Sequence, residues 1–135
     1  MDFIRLFMFT KQFRFNLVQL VFNFIFRYEN ELGHDLEDVL LQTTTSEERV
    51  VLRKVIENFE IYKDKITPFL HGYGWDKTPF LSRAILITFV AEAEDISKED
   101  QAKEIAEYLH LTQDLAGADS VSLVHAVIGK VVGVE

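Results

Sequence analysis

The stretch AILITFVA, residues 84–91, is apolar nearly all the way round a helical repeat. A helix with one apolar stripe can lie on a surface. A helix without a polar face must be wrapped by others. Thr78-Pro79 precedes it, with Pro79 at a tolerated first-turn position, and acids follow at Glu92, Glu94 and Asp95. The chain is therefore expected to fold around this segment. Helical periodicity dominates elsewhere too, β-branched alternation is scarce, and only two prolines occur. The expected architecture is a compact all-α domain of about five to seven helices.

The flanking helices follow from the same period. From about Thr10 to Glu31, the residues Phe13, Leu17, Leu20, Val21, Phe24 and Ile25 recur at three- and four-residue steps. Gly33 suits a C′ position, and a short amphipathic turn is expected around Leu36 to Leu41. A long helix is expected from Ser46, its N-cap, to a limit near Pro68. There Arg49 stands where a capping-box Glu would be, and Glu47 and Glu48 suit the positive end. Its buried stripe reads Val51, Leu52, Val55, Phe59, Tyr62 and Ile66. HGYGW, residues 71–75, reads as a loop. Ser97 caps a fourth long helix, and GADSVSLVHAVIGKVV holds the last.

At 135 residues the chain fits one domain, residues 1–135, with a Phe-rich N-terminal extension over residues 1–10. It is long enough to bury a core without staples. It has no cysteine, which removes disulfides and thiolate chemistry and is compatible with a cytoplasmic location. The net charge is −8, but residues 1–28 hold four basic residues against one acid. An acidic body repels phosphate, so any nucleic-acid contact belongs at that N-terminal segment. The longest uncharged run there, FNLVQLVFNFIF, has twelve residues including two Asn and one Gln. A membrane span needs ~20 apolar residues, so a core helix is expected instead. If Phe3, Phe7 and Phe9 are exposed together, they form an apolar patch that implies a partner or a homodimer.

Little points to catalysis. No two of His34, His71, His110 and His125 share the spacing of a helical metal site, and no HExxH, phosphate-binding loop or GxSxG elbow occurs. No metal or cofactor is expected. The acids, among them Glu92 and Glu104, are read as solvated surface groups rather than paired acid–base catalysts. His125 sits at the margin of the stripe Leu123, Val124, Val127, Ile128 and Val131, and is read as a packing or capping residue. Ser122, Ala126 and Gly129 make a small-residue strip beside it.

Three segments carry a resemblance. IAEYLHLTQDLAGADSVSLVHAVIGKV, residues 105–131, resembles the C-terminal signature of the NusB family of bacterial transcription antitermination factors. Ile105, Glu107, Leu111, Ser120, Val124, Val127 and Lys130 match it in type and spacing. LSRAILITFVAEAEDI resembles a second family segment at Arg83, Ala84, Ile85, Leu86 and Glu92. RFNLVQLVFNF resembles a third at Arg14, Gln19, Phe22 and Phe24. The departures are His125-Ala126 for Asn-Gly, Gly129 for Asp, Ile87 for Arg, Leu123 for Phe and Ala106 for Asn. Thr10 and Gln12 also stand where more basic residues are usual.

The resemblance implies a NusB-like helical domain of two packed subdomains, an RNA-binding module and not an enzyme. It implies a role in transcription regulation: binding boxA-like single-stranded RNA together with NusE, a small-subunit ribosomal protein, within the transcription elongation complex. Carried over, Lys11, Arg14 and Phe22 would lie near RNA, with Asp119, Ser122 and Leu123 on the adjacent surface. Ser82 and Glu92 would lie toward the NusE partner. The alternative is a protein-interaction module of the same fold whose RNA binding is weakened or lost. The thin basic cluster motivates it. An enzyme using His71 or a carboxylate pair is the third reading, and no spacing favours it.

Overall fold

A computed structural model describes residues 10–32, 45–70 and 74–132. Within them lie six α-helices and no strand: α1 (Lys11–Glu29), α2 (Ser46–Glu57), α3 (Phe59–Ile66), α4 (Phe80–Ala93), α5 (Lys98–Ala116) and α6 (Ala118–Val131). Short 3-10 turns cover Thr67–Phe69 and Trp75–Lys77. The fold is a compact all-α domain. Phe3, Phe7, Phe9, Gly33, His34, His71 and the expected turn at 36–41 lie outside the described residues. No described helix is long and apolar enough to cross a membrane.

The apolar segment does what its composition demands. Every residue of α4 from Ser82 to Ala93 is buried, and α4 packs against each of the other five helices. It runs antiparallel to α1. Arg14, near the start of α1, meets Glu92 near the end of α4, and Glu29 at the end of α1 meets Arg83 near the start of α4. α5 and α6 form a helical hairpin against the same core. They are joined by Gly117 alone, whose φ of 87° and ψ of 175° suit glycine and few other residues.

Two helix limits differ from the sequence expectation. The N-cap of α2 is Thr45, not Ser46: the Thr45 hydroxyl accepts from the Glu48 N–H at 3.1 Å. One residue earlier, the start reads Thr-x-x-Glu, the pattern of a complete capping box. The expected single helix to Ile66 is also broken at Asn58, with φ −119° and ψ 17°. The Asn58 side-chain amide donates to the Lys54 carbonyl at 2.9 Å, competing locally with helix continuation. The apolar stripe hides this break, because Val51, Leu52, Val55, Phe59, Tyr62 and Ile66 are all buried across it. Pro79 is the N-cap of α4 rather than its first helical residue.

The phenylalanines of α1 divide. Phe24 is buried in an aromatic group with Phe59 (centroids 5.6 Å apart), which in turn meets Tyr28 (5.1 Å) and Trp75 (6.0 Å). Phe13, Phe15 and Phe22 are half-buried, and Phe26 is exposed.

Candidate functional site

Arg14 is the charged residue whose position departs most from expectation. It lies on the face of α1 that also presents Leu17, Val18 and Val21, and it is 4% exposed. Its Nε donates to Glu92 Oε1 at 3.1 Å, and its Nη2 donates to the same oxygen at 3.0 Å. Nη2 also donates to Glu104 Oε1. The Tyr108 hydroxyl donates to Glu92 Oε2 at 2.8 Å, and the Arg14 guanidinium lies 5.7 Å from the Tyr108 ring centroid. Glu92, Glu104 and Tyr108 are each at most 1% exposed. The solvated reading of Glu92 and Glu104 is thus corrected: they belong to a buried cluster that joins α1, α4 and α5.

Two carboxylates face one guanidinium in this cluster. With both ionised, it would carry a buried negative charge, which is costly. Glu104 Oε2 is buried and accepts no hydrogen bond. Burial, the bond to Glu92 and the Glu92 charge push the Glu104 carboxyl up to about 9, against the opposing pull of Arg14. One proton held by the carboxylate pair makes the cluster neutral. Burial by itself would lower Arg14, but Glu92 and Glu104 outweigh it and hold the guanidinium above its usual value. Burial, then the two carboxylates, holds the Tyr108 phenol up and protonated.

The same three helices wall a groove of about 410 Å³, lined by Gln19 and Phe22 of α1, Leu81 of α4 and Leu115 of α5. The Phe22 ring meets Phe80 edge-on at 6.3 Å, and Phe26 lies 5.7 Å from Phe80. Arg83 stacks on Phe80, with 4.3 Å from guanidinium to ring centroid. Its Nε donates to the Thr78 carbonyl and its Nη2 to the Asp76 carbonyl, both at 2.7 Å. This pins the turn that carries Trp75 to the start of α4. A second cleft, about 420 Å³, lies among α3, α4, α5 and α6, with Lys65, Glu94 and Lys98 at its edge.

The expected site residues separate accordingly. Lys11 is well exposed, and its ammonium pairs with Asp114 on α5. Phe22 lines the groove, and Asp119 and Ser122 are exposed on α6. Leu123 is half-buried against the core. Arg14 is committed to two internal carboxylates and is not a surface cation. Ser82 and Glu92 are fully buried, so neither lies on an outer face toward a partner. His125 is corrected as well: it is exposed, as is Ala126, rather than packed into the helix interface. Leu81, Leu115 and Tyr108 are not among the sequence candidates; Gln19 enters only as a match in the resemblance, and Glu104 only as a solvated acid. For Glu104, Tyr108 and Leu111 the signal was present, because they follow one another at four- and three-residue steps along one face of α5.

No known family profile matches this chain, and no curated protein matches it either.

Proposed function

We propose that this chain is a NusB-like transcription antitermination factor, not an enzyme. It binds boxA-like single-stranded RNA together with a NusE-type ribosomal protein, in the cytoplasm and within the elongation complex. One observation carries the reading: an aromatic ring and a side-chain amide, Phe22 and Gln19, line one open groove. Single-stranded RNA is recognised by stacking unpaired bases on aromatic side chains and by bonding their edges to polar groups. Lys11, exposed on the same helix, supplies a cation for a phosphate. The three-part sequence resemblance supports the same assignment.

The burial of Arg14 and the pairing of Lys11 with Asp114 favour a second reading, a protein-interaction module with little RNA affinity. A titration with boxA-like RNA at two salt concentrations, with and without the NusE-type protein, separates them. Binding that strengthens with the protein and weakens with salt is the expected result. A stable protein complex with no RNA binding supports the second reading and overturns the first.

A further inference from the structure

The buried cluster and the groove share their three supporting helices. Arg14 ties α1 to Glu92 of α4 and Glu104 of α5, while Gln19, Phe22, Leu81 and Leu115 use those same helices to wall the groove. A cluster that fixes how three helices sit also fixes the shape of what they enclose. We infer that the Arg14–Glu92–Glu104–Tyr108 cluster is a proton-holding clamp that sets the groove's geometry, and that loss of its proton repositions the groove walls and weakens ligand binding there. That the ligand is RNA rests on the reading above; the clamp itself does not.

Geometry supplies the reason. Arg14 offers Glu104 one bond, at Oε1, and three to Glu92. Glu104 Oε2 therefore has no donor and no water-facing surface. A carboxylate oxygen in that position is tolerated when the group is protonated and costly when it is not. Removing the proton leaves two buried negative charges against one guanidinium, and the repulsion acts between α4 and α5. The neighbouring elements do not offset it. Arg14 is the group facing Glu104 from α1, and Glu92 the one from α4. α6 turns Val124, Val127 and Ile128 into the core, with Asp119, His125 and Lys130 exposed. On α5 itself, Tyr108 is engaged with Glu92. Two-state packing is the usual route by which a small charge change becomes a helix shift.

The test compares the wild-type chain with Glu104→Gln, which mimics the protonated acid. The first readout is affinity for a labelled boxA-like single-stranded RNA between about pH 7 and pH 10. Titration of lysines and bases is common to both proteins. The expected result is an extra loss of about tenfold in the wild type, absent in E104Q. Parallel pH profiles overturn the clamp.

The second readout needs no RNA: the fluorine resonance of 4-fluorophenylalanine placed at Phe22 in the free protein. It is expected to titrate near the Glu104 midpoint in the wild type and to lose that step in E104Q. A flat wild-type signal overturns the clamp even if E104Q fails to fold. Absence of RNA binding at every pH, with the fluorine step intact, overturns the functional reading and leaves the clamp standing.

Discussion

Arg14 and Glu92 lie 78 residues apart in the chain, yet three hydrogen bonds at 3.0, 3.1 and 3.4 Å join their buried side chains. The contact turns an expected RNA-facing cation into an internal tie between the first helix and the central one. Removing one member of a buried ion pair strands the other's charge, which typically costs about 3–5 kcal/mol. Arg14→Ala is expected to destabilise the fold by that amount, read as a lowered urea midpoint. An effect below about 1 kcal/mol would mean that the carboxylates find solvent when Arg14 is gone.

Stability should carry the signature of Glu104. In the unfolded chain this carboxyl titrates near 4.5, and in the folded protein near 9. Between those values the folded state holds a proton that the unfolded state does not. Its contribution is therefore full below the lower value and declines as pH rises through the window, by at most about 1.4 kcal/mol per pH unit. Chemical denaturation from about pH 5 to pH 9 should give a steeper decline for the wild type than for E104Q.

The start of α2 separates two adjacent hydroxyls. The Thr45 hydroxyl caps the Glu48 N–H, while Ser46 is the first helical residue and exposed. Thr45→Ala is expected to cost about 1 kcal/mol, and Ser46→Ala only a few tenths, both measured by thermal unfolding. The reverse order would place the cap one residue later.

Gly117 tests backbone geometry without steric interference. A Cβ built there meets nothing within 4 Å, so space is not the constraint. Its φ of 87° with ψ of 175° is a conformation that L side chains rarely adopt. Gly117→Ala should cost about 1–3 kcal/mol through strain alone, measured by equilibrium unfolding.

Surface and groove substitutions should divide by property. Lys11 and Asp114 are both exposed, so Lys11→Ala is expected to change stability by less than about 1 kcal/mol. On the RNA reading it lowers affinity and flattens the logarithmic salt dependence by about one unit. Phe22→Leu keeps apolar bulk but removes the stacking face. It should cost about tenfold in RNA affinity with little change in the salt slope. Filter-binding or anisotropy titrations at several salt concentrations read both.

Much of the architecture was written in local pattern. The all-round apolar segment of α4 announced a central helix, and Ser97 announced a helix start that its hydroxyl does cap; the cap by Thr10, where the periodic stretch begins, is visible only in the structure. The stripe from Val51 to Ile66 named the buried face correctly but was blind to the break at Asn58, because a stripe records which side is apolar and not whether the backbone runs on. The candidate site was less legible. Phe22 was found through a local motif, while its groove companions Leu81 and Leu115 come from helices distant in sequence.

The helical class, the central helix and most of the buried faces are legible in the order of residues, since these follow from the period of side chains along one helix. What the charged residues on those faces do is set by the packing of helices against one another. Arg14 and Glu104 sit in register with apolar stripes, so their helices carry them inside whether or not they are charged. What makes that tolerable is the partner each finds across a helix interface. Long-range complementarity of charge and hydrogen bonding has no local period from which it can be read.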